Sequence, residues 1–205
     1  MTRYYAQFGE DRVLEKLFSD TGVFLDVGSH DGITDSNTLM LEQRGWQGIC
    51  IEPHSVFFKA LRQNRKAVCF NYVVWDENVP SVEFHETAPG GWSRVGSGNK
   101  WFPTINVSHP EAVTLDSLLE EYDGTFDFVS IDVEGHEDKV LDGWSTIMQY
   151  NPRIILIEDL SHSGQYQRYF ESYKAVYGWS QGKGGSNAWY LRDEKDYERV
   201  KQLYR

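Results

Sequence analysis

Acidic and histidine side chains stand just past apolar runs in this chain, where strands would end. Phe126–Asp132 reads F-D-F-V-S-I-D and leads into Val133, Glu134, Gly135 and His136; Arg153–Asp159 reads R-I-I-L-I-E-D and leads towards Ser161 and His162. Carboxylates and imidazoles so placed suit proton transfer to or from a hydroxyl, so Asp132, Glu134, His136 and His162 are the candidate catalytic groups. Asp132, Glu158 and Asp159 also offer the oxygen ligands that suit Mg²⁺ or Mn²⁺, and a bound cation would lower the pKa of a hydroxyl. Glu158 and Asp159 are consecutive, so on a regular strand they point to opposite faces. Both reach one ion only if the chain bends there. The same acids also suit a solvated cleft without an ion, with Glu134, His136 or His162 as base.

A second set lies nearer the start. Val23–Gly32 reads V-F-L-D-V-G-S-H-D-G: an apolar run ending in Asp26, a turn bracketed by Gly28 and Gly32, then Ser36-Asn37-Thr38 opening a helical segment. In an open α/β sheet such a junction sits at the carboxyl end of a strand, where ligands bind. Glycines let a ligand approach the backbone, and a helix start can face a carboxylate or phosphate. The dinucleotide fingerprint G-x-G-x-x-G is broken, because His30 and Ile33 occupy the second and third glycine positions. No G-K-[ST] follows, so a P-loop is excluded too. Glu52 closes another apolar run about 20 residues past the turn, where a carboxylate can accept hydrogen bonds from a ribose diol.

The elements that must position these groups alternate regularly. Helical spacing of Val13, Leu14, Leu17 and Phe18 predicts a helix over about 10–20. Strand Gly48–Glu52 and helix His54–Asn64 follow helix Asp35–Arg44, and Ala67–Val74 is the next strand. This alternation argues for a doubly wound, mostly parallel α/β sheet. Residues 75–112 break the pattern with Pro80, Pro89, Pro103 and Pro110; they read as a loop-rich insertion with a short strand at Val82–His85 and aromatics Trp92, Trp101 and Phe102. A long loop of this kind inside a compact domain is usually functional or disordered, and a substrate-facing lid fits it. Alternation then returns with a short helix from Thr114, strand Phe126–Asp132, helix His136–Met148 and strand Arg153–Asp159. Tyr173–Trp179 and Asn187–Arg192 read as closing strands, and Asp193–Arg205 as a terminal helix. A chain of 205 residues with no internal boundary suits one domain, 1–205.

Composition narrows the partners. Net charge is −11 with no basic stripe, which disfavours nucleic acid and anionic membranes. No apolar run is long enough to span a bilayer, and the first residues have no apolar core of a signal peptide. Cys50 and Cys69 both lie in apolar runs and read as buried thiols in a reducing compartment. A cytoplasmic location is expected.

Taken together, these stretches resemble the FkbM family of S-adenosylmethionine (SAM)-dependent methyltransferases. The resemblance rests on Y-A-Q-F-G-E-D at 5–11, F-L-D-V-G-S-H-D-G at 24–32, S-N-T at 36–38 and G-W-Q-G-I-C-I-E-P at 45–53. It continues through N-R at 64–65, T-L at 114–115, D-F-V-S-I-D-V-E-G-H-E at 127–137 and P-R-I-I-L-I-E at 152–158, with a weaker N-A-W-Y-L-R at 187–192. It implies a seven-stranded, Rossmann-like class I methyltransferase sheet with its last strand antiparallel, and methyl transfer to a hydroxyl oxygen. The acceptor expected is a sugar, a glycan or another small hydroxylated metabolite.

Beside that resemblance, the residues can be assigned to parts of SAM. Asp26, Gly28, Ser29 and Gly32 would sit by its amino-acid end, and Ser36 and Asn37 would meet its carboxylate, although both also suit helix N-caps. Glu52 would take the ribose. Gln7, by resemblance, would fold over the methionine moiety. Val74 and Trp75 would pack on adenine, or belong to the core. Two other readings stay open: a non-catalytic SAM-fold binding or scaffold protein, and a nucleotide-binding oxidoreductase, the latter weakened by His30 and Ile33.

Overall fold

A computed structural model describes residues 2–87, 91–96, 102–159, 163–177 and 187–203. The chain begins with α1 (Glu10–Leu17), β1 (Val23–Val27), α2 (Leu39–Gln43), β2 (Gln47–Ile51), α3 (Ser55–Asn64), β3 (Val68–Phe70) and β4 (Val73–Val74). The middle holds β5 (Phe84–Thr87), β6 (Arg94–Val95), β7 (Thr104–Ser108), β8 (Ala112–Val113) and α4 (Leu115–Leu118). The last part holds β9 (Phe128–Ile131), α5 (Glu137–Asp142), β10 (Ile154–Glu158), β11 (Lys174–Tyr177), β12 (Asn187–Leu191) and α6 (Glu194–Leu203).

A seven-stranded sheet in the order β11-β12-β10-β9-β1-β2-β3 forms the centre. Neighbours from β3 to β10 pair in parallel, and β12 alone runs against the rest. The two faces of β1 explain why every residue of it but Asp26 is apolar. Leu25 and Val27 join Val129, Ile131, Ile155, Tyr190 and Trp144 on one side. Phe24 joins Phe128, Leu156, Trp189, Met40, Leu61 and Val200 on the other. A strand covered on both faces reads as a near-continuous apolar run, whereas one facing water alternates. The chain leaves β1 towards β2 on one side, and β9 returns on the other. That reversal opens a crevice at the carboxyl ends of β1 and β9.

Several elements are shorter than their sequence patterns suggest. The strand expected over 67–74 divides, because Asn71 turns its side-chain amide back onto the Glu52 and Pro53 carbonyls at 2.7 and 3.0 Å. Helix α2 starts only at Leu39, after Asp35 takes a left-handed φ of 54°. The helix expected over 136–148 stops at Gly143, where an added Cβ would lie 2.0 Å from the Trp75 carbonyl oxygen; a 3-10 turn at Ile147–Tyr150 follows.

The described residues of the insertion 75–112 are more ordered than its punctuated sequence suggests. Strands β6-β5-β7 form a three-stranded antiparallel sheet, and β8 pairs with β4. These strands hold two to five residues, and most of β7 faces solvent, so no alternation accumulates for a pattern to reveal. Glu86 anchors this small sheet. Its carboxylate accepts Asn106 Nδ2 and Ser108 Oγ, both at 2.8 Å, and lies 3.8 Å from Nε2 of the buried His54 that caps α3. Trp101 falls outside the described residues, as do the Gly182–Gly185 segment and Trp179. Among the described residues no helix is long and apolar enough to cross a membrane.

Candidate active site

A cavity of about 320 Å³ opens over the carboxyl ends of β1, β2, β9 and β10, with residues of β5 and β6 closing one side. This volume lies in the range of small-molecule and cofactor sites.

The turn after β1 is fixed by packing. Gly28 has φ +89°, and a Cβ there would sit 1.7 Å from the Asp132 carbonyl oxygen. Only glycine lets β1 and the end of β9 close up at this point. The N–H groups of Gly28 and Ser29 both donate to the Ile51 carbonyl, at 2.9 and 3.0 Å, which ties the turn to β2 as well. Gly32 (φ +80°) meets α3 instead: a Cβ would strike Arg65 Cγ at 2.6 Å and Leu61 Cδ1 at 2.8 Å. Gly28 lines the cavity and Gly32 does not. Ser29 Oγ donates to the Asp26 carbonyl at 2.8 Å.

Asp26 lines the cavity but is engaged from behind. Thr38 Oγ1 donates to its Oδ2, and the fully buried Arg65 guanidinium lies 3.9 Å away. Burial raises the Asp26 carboxyl above the usual range, and Arg65 opposes that. Arg65 also pairs with Glu42 Oε2 at 3.1 Å and donates to Thr38 Oγ1 at 2.9 Å, while Asn64 Nδ2 donates to the Asp31 carbonyl at 2.8 Å. Thus the Asn64-Arg65 pair staples the turn to α3, a role that spacing alone did not reveal.

Glu52 stands at the end of β2 with both oxygens in use. Oε1 accepts the His54 N–H at 2.7 Å and Oε2 the His30 N–H at 2.9 Å. Burial pushes its carboxyl up to about 7. Each oxygen keeps a further lone pair on the cavity wall. Ser36 Oγ accepts the Thr38 and Leu39 N–H groups at 3.3 and 3.0 Å, so it caps α2. Asn37 Nδ2 donates to Ser130 Oγ at 3.1 Å. Gln7 reaches the same cavity because Ala6 forms a bridge with Asp35. Val74 and Trp75 line it too. The Trp75 ring lies edge-on to His136 with centroids 5.1 Å apart, against α5 rather than free over the sheet edge.

The acids after β9 form the most perturbed group. Asp132 opens on the cavity, and its carboxyl is pushed up to about 7 by burial and then by Glu137; it is hydrogen-bonded to Glu158. Two carboxyls in such a bond share one proton. Glu134 is pushed up to about 9 by burial, Asp132 and Glu137 against the pull of Arg94. Ligand atoms of Asp132, Glu137 and Glu158 all lie within 4.8 Å of one another. The expected trio of Asp132, Glu158 and Asp159 is therefore not the one brought together. Asp159 follows Glu158 on the opposite face, is buried, and accepts the Gly164 N–H at 3.2 Å. Glu137, in its place, already accepts the Val133 and Gly135 N–H groups at 3.0 and 3.2 Å and the Tyr166 hydroxyl at 3.2 Å.

His136 lies 3.0 Å from the Val95 carbonyl through Nε2, and burial lowers its pKa, so it is a neutral imidazole whose Nε2–H is spent on the backbone. His162 falls outside the described residues. Three residues with left-handed φ, His30, Asp35 and Glu134, line the cavity. Strained backbone gathered at a ligand-sized cavity is a mark of function. The insertion adds Phe84, Trp92 and Arg94, none of which the sequence singled out as site residues, since neither spacing nor a neighbouring motif marks them.

The comparisons bear on this geometry. Residues 26–184 match the model of the methyltransferase FkbM domain. Among solved structures, the chain resembles methyltransferase FkbM from Methylobacillus flagellatus KT at a TM-score of 0.60 and 12% identity, covering 86% of this chain and 45% of that one. It also resembles the METTL16 MTase domain at a TM-score of 0.51 and 13% identity, covering 90% of this chain and 65% of that one. The chain thus spans under half the length of the Methylobacillus protein. No curated protein matches in sequence.

Proposed function

Given that the chain belongs to the FkbM methyltransferase family, we propose that it methylates a hydroxyl oxygen of a sugar or another small hydroxylated metabolite. SAM, which the family implies, supplies an activated methyl on a cationic sulfonium. The cavity suits such a group. Its wall carries Asp26, Glu52, Asp132, Glu134 and Glu158, carboxyls that a cation beside them would draw into their ionised form. Glu52 offers both carboxylate oxygens to a vicinal diol while the backbone holds it in place. Val74, Ile51 and Trp75 supply the apolar surface a base needs, and Gln7 and Asn37 the polar atoms for an amino-acid end.

The observation that carries the hydroxyl reading is Asp132. A hydroxyl that accepts a methyl must lose its proton, and the base should titrate near the working pH. Asp132 is that base: its carboxyl faces the cavity at about 7, and Glu158 beside it holds the shared proton. Bound SAM would supply the methyl, its S–CH3 bond breaking as the O–CH3 bond forms and the electron pair staying on sulfur as the neutral thioether of S-adenosylhomocysteine, while Asp132 would take the hydroxyl proton and pass it to water after product leaves. His136 is the second candidate, since its Nε2–H is bound to the Val95 carbonyl and only Nδ1 is left to accept a proton.

Labelled SAM incubated with a panel of hydroxylated metabolites tests this. The label should appear in a methyl ether, and Asp132→Asn should slow transfer by about 10²–10⁴-fold. Label on nitrogen, or in a carboxylic ester, excludes the hydroxyl reading. Tight binding of S-adenosylhomocysteine with no transfer to any acceptor would favour a binding or scaffold protein.

A further inference from the structure

We propose that the acceptor carries an anionic group, a carboxylate or a phosphate, and that Arg94 binds it. The proposal rests on the methyl-transfer reading above and names the substrate class for that same cavity.

Among the described residues, Arg94 is the one arginine or lysine that lines the cavity; the other formal charges there belong to acids. It projects from β6 of the insertion to the loop that follows β9, with Nη2 3.4 Å from His136 Nε2 and 3.8 Å from where a Cβ on Gly135 would stand. That loop carries the candidate base at its start, so Arg94 faces the reacting end of the cavity.

Its donors are not satisfied there. The guanidinium Nε is buried without a hydrogen-bond partner. Nε2 of the neutral His136 already gives its proton to the Val95 carbonyl, so it cannot also accept from Arg94. Among the described residues, no carboxylate lies within ion-pair distance of Arg94. Arg65 shows the contrast: its guanidinium pairs with Asp26 and Glu42 and donates to Thr38. A half-buried guanidinium whose Nε is enclosed without an acceptor gains when a ligand supplies oxygens, and its planar fork fits a carboxylate or phosphate through two hydrogen bonds.

The surroundings fit a small polar acceptor. Trp92 lines the same wall and is stacked on Phe102 with centroids 4.9 Å apart and planes 14° from parallel, which holds its ring in one orientation. A flat indole beside a guanidinium gives a sugar-like ring a face to lie on and its acidic substituent a partner. A neutral acceptor would leave Arg94 unpaired on complex formation, while an anionic one is selected by the charge itself.

Calorimetry on the protein loaded with S-adenosylhomocysteine tests this, with D-glucuronate, D-glucose 6-phosphate and D-glucose as probes. At least one anionic probe should bind about tenfold or more tightly than glucose, and which one does so tells carboxylate from phosphate. Arg94→Gln should abolish the difference, and Arg94→Lys should restore part of it, both with unchanged melting temperature and unchanged affinity for S-adenosylhomocysteine. The proposal is overturned if neither anion outbinds glucose, or if the preference survives Arg94→Gln. It is equally overturned if Arg94→Gln weakens S-adenosylhomocysteine instead, for then Arg94 serves the cofactor's carboxylate. Failure of the wild type to bind S-adenosylhomocysteine at all would remove the methyl-transfer reading itself, and is seen before any probe is added.

Discussion

Glu52 must hold the turn and also meet a ligand, and the two tasks separate by substitution. Glu52→Ala removes the acceptor of the buried His30 and His54 N–H groups, so it should cost stability by about 1–3 kcal/mol as well as cofactor affinity. Glu52→Gln keeps one acceptor oxygen but turns an NH2 towards the other N–H, so it should cost less stability than Glu52→Ala while weakening S-adenosylhomocysteine by about 1.5–3 kcal/mol; equal affinity in calorimetry would refute the diol assignment. Asp132 predicts a pH profile. Its ionised form is the base, so the rate should rise as pH passes about 7 and level off above it, and Asp132→Asn should erase that limb. Transfer should also persist in EDTA: Asp159 points away, Glu137 is engaged by two N–H groups and a tyrosine, and Asp132 and Glu158 share a proton where the cation was expected. Restoration of an EDTA-silenced enzyme by Mg²⁺ would reverse this. Residues at strand ends, such as Asp26, Glu52 and Asp132, were legible because an apolar run pointed at them. Arg94 was not, because it follows two residues after Trp92 in a stretch with no period, and only the folded insertion brings it to His136.

At the scale of elements, the parallel sheet was written in its doubly covered strands, whose unbroken apolar runs announce themselves. The insertion was not, because strands of two to five residues with a solvent-facing β7 leave no alternation, and prolines between them mimic an unstructured loop. Its place against the cavity makes a closing motion testable. Limited proteolysis within 75–112 should slow when S-adenosylhomocysteine and an acceptor are both present, and equal cleavage rates would leave it a static wall. The glycines invite a different test. Gly28 was expected to make room for a ligand, yet a Cβ there would collide with the Asp132 carbonyl at 1.7 Å, and φ is +89°. Gly28→Ala should therefore destabilise the whole sheet edge by more than about 2 kcal/mol, read as a lower melting temperature even in the absence of ligand.

For the molecule as a whole, the acids gathered at the cavity set an unusual pH dependence. Glu134 titrates near 9 in the folded chain, and Asp132 and Glu52 near 7, all above their unfolded values. A folded state that holds protons the unfolded chain has released loses stability as pH rises. Between about pH 7 and 9 the lowered acids are ionised in both states, so among the acids the raised ones govern. The ligand-free protein should melt at a lower temperature at pH 9 than at pH 7, and a bound cationic sulfonium should narrow the gap. A flat profile would mean that the acid cluster is more solvated than its geometry implies. A net charge of −11 adds repulsion in the same direction. The most direct test of the whole account is the mass of the product formed from SAM carrying a labelled methyl and a panel of acidic and neutral sugars. The account predicts a labelled methyl ether on a hydroxyl of an acidic member, formed by the wild type and lost in Asp132→Asn. Transfer to nitrogen, or unchanged ether formation by Asp132→Asn, would contradict it.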